Sequence, residues 1–239
     1  MHNVFGNKKI VGIFDMGVLH RPKITAIIPA FNEEATIAHV VEVVISSPLI
    51  DECFVVSDGS TDHTAEIARR ARATQVFERS TCGGKGAAML YAVAQTDAAI
   101  LVFFDADLRG LTTDHIERLV LPVISGAKAM NVGLRDRGMF WTNFSRYLPL
   151  ISGERALIRR IVDEIPPEYV QGFMVEVALN YFCKYHKLRY GSVFLPGLSI
   201  RRKYEKVGIK KAAGQYIHMF FQILTAMFIL RMARIFKQF

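Results

Sequence analysis

Asp105 and Asp107 stand one residue apart in ILVFFDADLRG (Ile100–Gly110), directly after a run of apolar residues. If a strand extends through them, side chains two apart point the same way, and two carboxylates share one side of its end. Such a pair repels unless a divalent cation, an arginine or a shared proton lies between. Oxygen donors on a short turn suit Mg2+ or Mn2+, which keep waters and take one or two carboxylates together with substrate phosphates. The chemistry on offer is then Lewis-acid help to a departing diphosphate. The same residues could instead cap a helix beginning near Thr112.

Three further polar clusters accompany this one. PAFNEE (Pro29–Glu34) leaves an apolar run through proline and enters a helical pattern, where free N–H groups would suit an anion or a ring acceptor. Its alternative use is an ordinary turn with Asn32 as the cap. SDGSTD (Ser57–Asp62) sets Asp58 at a strand end, able to accept from a base N–H or a ribose hydroxyl, while Asp62 is placed to cap the next helix. CGGKG (Cys82–Gly86) lets backbone approach a ligand closely and adds the cation Lys85; without the spacing and trailing Ser/Thr of a Walker motif, it is no P-loop. Later in the chain, SGERAL (Ser152–Leu157) offers Glu154 and Arg155, and GFMVEVAL (Gly172–Leu179) offers Glu176. A carboxylate here could serve as general base on an acceptor hydroxyl, and the arginine could hold an acceptor phosphate. A buried ion pair is the competing use of each.

The elements that would position these residues alternate from Lys23 to about Gly133. KITAIIPA, ECFVVSDGS (running into a turn), TQVFE, AAILVFF and KAMNVG read as strands. EEATIAHVVEVVIS, DHTAEIARRARA, KGAAMLYAVAQT and TTDHIERLVLPVI read as helices, the first with Ile37, Val40, Val41 and Val44 on one face. Such alternation implies right-handed crossovers and an α/β fold with a mainly parallel sheet flanked by helices. Ligands bind such sheets outside the carboxyl ends of the strands, and the four polar clusters fall at four successive ends.

Composition bounds the rest. The chain has 239 residues, 51% of them hydrophobic, enough for one large domain with a substantial core. Cys53, Cys82 and Cys183 are scattered, with no CxxC, which argues against zinc and for reduced thiols in a cytoplasmic setting. The first residues lack the apolar core of a signal peptide. Net charge is +8, but Val177 to Phe239 holds twelve Lys/Arg against the single acid Glu205, a local surplus of +11. A phosphate-rich partner, such as a nucleotide or an anionic lipid, fits that block. No nucleic-acid partner is expected.

Taken in order and spacing, PAFNEEATI, SDGSTDHTAEIA, GGKGAAM and FFDADL resemble family 2 glycosyltransferases of the GT-A fold, over roughly Ile24 to Gly208. DADLRGLTTDHIERLV, SGERAL, GFMVEVAL and KYEKVG resemble, within that family, the branch around glucosyl-3-phosphoglycerate synthases and polyprenyl-phosphate sugar synthases. The resemblance implies a nucleotide-sugar donor. It sets Pro29, Ala30, Asn32 and Glu33 along the nucleoside, Asp58 on the base and Lys85 near the ribose or diphosphate. Asp107 falls on the metal with Asp105 beside it. Many members of this branch carry a histidine, as a third metal ligand, just before the stretch matching RKYEKVG. Ile200 holds that place here, followed by Arg201, Arg202 and Lys203. Either metal binding is weakened, or Arg201 and Lys203 meet the diphosphate directly. His218 is a further, distant candidate ligand.

The expected organisation is an N-terminal extension (1–22), a glycosyltransferase domain (23–208) and a basic, apolar helical tail (209–239). In the tail, Lys211, Gln215, His218, Gln222 and Thr225 form a narrow polar stripe on an otherwise apolar helix. The apolar run is short of the ~20 residues of a transmembrane span. Its face must be buried against the domain, in a homo-oligomer, or at a membrane surface, which would set the protein at the inner face of the cell membrane. The expected function is transfer of a hexose from a UDP- or GDP-sugar to a phosphorylated or polyprenyl-phosphate acceptor, assisted by Mg2+ or Mn2+. Sugar-1-phosphate nucleotidyl transfer and non-catalytic nucleotide-sugar binding are the alternatives.

Overall fold

Successive residues on the strands go to opposite layers, and that alternation builds the fold. The computed structural model describes residues 21–135, 152–166, 169 and 174–200. In β1 (Ile24–Ala30), Ile27 faces one core while Ala26 and Ile28 face the other. In β2 (Glu52–Asp58), Phe54 and Val56 part from Cys53 and Val55, and in β4 (Ile100–Phe103), Leu101 and Phe103 part from Ile100 and Val102. Strands buried on both faces need helices on both faces.

On one side lie α1 (Ile37–Ser46), α2 (Thr64–Arg70) and α4 (Thr113–Ile124). The apolar stripe Ile37, Val40, Val41 and Val44 of α1 is fully buried there, and burial of each such side chain stabilises by about 1.5–3 kcal/mol. On the other side lie α3 (Lys85–Val93), the one-turn α5 (Arg160–Asp163) and α6 (Met174–Tyr185).

The main sheet has seven strands in the order β3-β2-β1-β4-β7-β6-β8, with β3 at Gln75–Arg79, β6 at Met130–Arg135, β7 at Arg155–Ile158 and β8 at Tyr190–Leu195. Pairings β1–β2, β2–β3, β1–β4 and β6–β8 are parallel. The fold is thus α/β with a mostly parallel sheet flanked by helices. The fifth strand read from sequence does not lie beside β4. β7 is inserted between them, antiparallel to both. A small second sheet pairs β5 (Leu108–Arg109) with β9 (Ser199–Ile200). Among the described residues no helix is long and apolar enough to cross a membrane. The 1–22 extension lies almost wholly outside the described residues, and the 209–239 tail, with His218, lies wholly outside them.

The order reverses at β1, whose chain continues to β2 on one side and is joined by β4 on the other, so the crevice at their carboxyl ends is the place for a ligand. Pro29 marks it. Ile27 O accepts from Phe104 N, and residue 29 is directed to the same side, past the end of β4. Its missing N–H therefore breaks no ladder bond.

Candidate active site

The first two strand-end loops are clasped together. Asn32 N donates to Ser60 Oγ (3.1 Å), Glu33 N to Thr64 Oγ1 (2.8 Å) and Glu34 N to Asp62 Oδ2 (3.1 Å). In return Thr61 N donates to Asn32 Oδ1 (2.8 Å) and His63 N to Glu34 Oε2 (3.1 Å). Asn32 sits at φ 53°, a left-handed conformation that asparagine tolerates better than most residues. The N–H groups expected to await an anion after β1 are thus taken by the second loop. Asp62 has the expected capping role: it accepts from Thr64 N at 3.0 Å as well as from Glu34 N. Burial opposes its ionisation, but these hydrogen bonds hold its carboxyl below the ordinary value.

Asp58, at the end of β2, is buried, and its carboxylate anchors the glycine loop. It accepts from Arg79 Nη1 (2.6 Å), Gly83 N (3.0 Å) and Gly84 N (2.7 Å). The expectation of a carboxylate reaching for a base meets a group already surrounded by donors from its own chain. Gly59 (φ 75°) lets this happen, since a Cβ there would lie 2.7 Å from Cys82 N. Asp58→Ala is expected to cost about 3 kcal/mol in urea denaturation, because it leaves Arg79 and two N–H groups without an acceptor. It should also weaken nucleotide binding by releasing the Gly83–Gly84 loop, with calorimetry as the check.

Lys85 follows that loop and opens α3. Its Nζ donates to Asp105 Oδ1 (2.7 Å) and Glu176 Oε1 (2.8 Å). The other oxygen of Asp105 faces Arg135 Nη2 at 3.6 Å, and Arg135 Nε meets Glu154 Oε2 at 3.1 Å, where Ser152 Oγ also donates (2.6 Å). Five chain segments thus meet in one ion network: the start of α3, the turn after β4, the end of β6, the segment entering β7, and α6, which supplies Glu176.

Burial would lower the Lys85 pKa, but Asp105 and Glu176 outweigh it and hold the ammonium above its ordinary range. Burial would raise Asp105, but Lys85 and Arg135 bring it down to about 2. Glu154, fully buried, is pushed up by loss of water despite Arg135. Among the described residues, Glu154 Oε1, Glu176 Oε2 and Arg135 Nη1 are buried without a hydrogen-bond partner.

The aspartates do not share the end of a strand. β4 stops at Phe103, and Asp107 lies in a turn, so the strand-parity argument fails and cations, not parity, organise the pair. Gly153 lets the turn pack: a Cβ at that position would overlap the Asp105 carboxylate. Gly153→Ala is therefore expected to lower stability by about 1–3 kcal/mol and to cut any activity that needs Asp105 in place, as thermal melting and turnover would show.

Arg155 departs from expectation. It is 1% exposed, and its guanidinium donates to Ser152 O (2.6 Å) and Glu176 O (3.4 Å). It braces the backbone on which Glu154 and Glu176 sit, and burial lowers its pKa. Ile200 pairs with Leu108, the residue after Asp107, and packs into the α1/α4 core. The position read as that of a third ligand is thus beside the aspartate turn and is filled by an apolar side chain. Arg201 and Lys203 lie outside the described residues. Pro29 and Ala30 end β1 at the crevice, with Ala30 buried.

Among the described residues no group of three or more His, Cys, Asp or Glu is arranged to hold a metal. A divalent ion that takes most of its shell from water and substrate phosphate needs less. Both Asp105 oxygens are engaged by cations, and Asp107 is half-buried on the same turn.

Comparison with known proteins agrees with this architecture. The model of "Glycosyl transferase family 2" matches residues 25–178. Glucosyl-3-phosphoglycerate synthase of Mycobacterium tuberculosis is 36% identical over 194 residues, covering 65% of this chain and 59% of that protein. The chain thus spans under two thirds of that relative's length. A 4,4'-diaponeurosporenoate glycosyltransferase of Staphylococcus aureus is 38% identical over 101 residues, 41% of this chain and 27% of that one. Crystal structures of the mycobacterial synthase superpose well. The complex with Mn2+, uridine diphosphate and glucosyl-3-phosphoglycerate gives a TM-score of 0.70 at 25% identity, covering 87% of this chain and 80% of that one. The complex with Mg2+ and uridine diphosphate gives 0.71 at 25% identity, covering 87% and 79%. With the strand order, the four loops and the family match in agreement, the chain belongs to glycosyl transferase family 2.

Proposed function

We propose that this chain transfers a hexose from a nucleoside diphosphate sugar, UDP- or GDP-linked, to a hydroxyl of a phosphorylated or lipid-linked acceptor. The observation that carries the reading is Glu176. Its Oε1 is pinned by Lys85, its Oε2 is buried without a donor, and Lys85 ties it to the aspartate turn at the crevice. A carboxylate so held can take the proton of an acceptor hydroxyl onto Oε2 as the hydroxyl oxygen bonds to the anomeric carbon and the bond from that carbon to the nucleoside diphosphate breaks. Glu154 reaches the crevice only through Arg135, so its part is to position that arginine. Arg155 fixes the backbone of both carboxylates. Charge neutralisation on the departing diphosphate is what Mg2+ or Mn2+ at Asp107 supplies when bound.

The solved complexes of the mycobacterial synthase with UDP-glucose, Mn2+ and phosphoglyceric acid support a uridine donor and a phosphorylated acceptor. The test is product analysis with labelled UDP- and GDP-sugars against phosphoglycerate and polyprenyl phosphates. Transfer to either acceptor, abolished in Glu176→Gln, is the expected result. Release of sugar-1-phosphate from the donor with pyrophosphate would instead establish nucleotidyl chemistry.

A further inference from the structure

Arg135 was not among the residues that the sequence singled out, yet it is at the centre of the site's charge. It ends β6, on the same sheet edge as the other strand-end clusters. Its side chain is nine-tenths buried, with Nε on Glu154 and Nη2 toward Asp105, and Nη1 is buried without a partner. Glu154, Asp105, Asp107 and Glu176 all act on it electrostatically. A guanidinium stays charged at any working pH, so this point carries a fixed positive charge. It also sits among the carboxylates that would draw a divalent cation to the aspartate turn, and it repels that cation. Ile200, beside Leu108, adds no donor to compensate.

We propose that Arg135 is a built-in counter-cation that competes with a divalent metal ion for the carboxylates around the Asp105–Asp107 turn. The chain alone then binds such metals weakly and acquires them mainly together with a diphosphate, whose oxygens supply the missing donors. Arg135 is a positioning residue in this account: it holds Asp105 and Glu154 in place and sets the affinity for metal. The proposal rests on Asp107 as the metal-holding residue but not on the identity of donor or acceptor.

Mn2+ binding to the full chain, measured by electron paramagnetic resonance without any substrate, tests it. Removing a unit charge beside the site is expected to tighten Mn2+ binding by about tenfold in Arg135→Met, equivalent to about 1.4 kcal/mol. Arg135→Gln, which keeps a donor for Glu154, should show the same direction and serves if the methionine variant does not fold. Arg135→Lys should stay near wild type. The gain should vanish in Arg135→Gln combined with Asp107→Asn. Uridine diphosphate should tighten Mn2+ binding far more in the wild type than in Arg135→Gln. The proposal is overturned if neutral variants bind Mn2+ no better than wild type, or if wild type alone already binds as tightly as it does with uridine diphosphate. If Asp107→Asn leaves Mn2+ binding unchanged, the metal lies elsewhere and the proposal falls with that assignment, whatever transfer activity is found.

Discussion

Lys85→Met is expected to lower the stability of the protein by about 3 kcal/mol at neutral pH. The ammonium bridges Asp105 and Glu176 at 2.7 and 2.8 Å, and its loss leaves two largely buried carboxylates facing one another. Arg135, at 3.6 Å from Asp105, offsets only part of this. The pH dependence identifies the cause. The folded state holds Asp105 at about 2, below its ordinary 3.8, so its contribution is complete above 3.8 and is lost as pH falls toward 2. Without Lys85 that depression shrinks, so the variant has less to lose in acid. Urea denaturation of both proteins at pH 7 and pH 3 should show a smaller gap at pH 3. A gap of equal size at both would mean that the methionine acts through packing, not through charge.

Asp107→Ala should have the opposite profile: an intact fold and almost no transfer. The turn is half-buried and Asp105 keeps its pairing with Lys85 and Arg135, so the melting temperature should stay close to that of the wild type. Loss of metal assistance is worth about 4 kcal/mol of barrier, roughly a 10^3-fold fall in kcat. Turnover within a few-fold of wild type would remove Asp107 from the chemistry.

The nucleotide-side half of the fold was legible because its signals are local. Strands buried on both faces read as unbroken apolar runs, and each ends in a polar cluster that composition alone picks out. The second half was less so. RALI is four residues long and looks like any short apolar stretch, so nothing local shows that it would insert antiparallel beside β4. Arg155 reads in sequence as either an acceptor-phosphate ligand or half of a buried ion pair, whereas its partners include the backbone carbonyls of Ser152 and Glu176, which no side-chain pattern announces. Arg135 was within reach. The rule that marks four strand ends applies to a fifth, but the strand read as KAMNVG ends at Gly133, two residues before the arginine that closes β6. The loop clasp escaped notice because it joins side chains to backbone across about thirty positions, although Asn, Ser, Thr and Asp are the residues that make such bonds.

A nascent chain has all of β3, β2, β1 and β4 once Phe103 is made, and these four strands are neighbours in the sheet. The outer edge of β4 must then wait for Arg155–Ile158, roughly 3–10 s at ordinary synthesis rates. Ile100, Leu101, Val102 and Phe103 are all buried in the finished protein, so for that interval an apolar strand stands with its hydrogen-bonding groups unpaired. Ribosome-bound chains halted before Arg155 are therefore expected to join one another through this edge and come out of solution. Chains that extend past Ile158 close it from within.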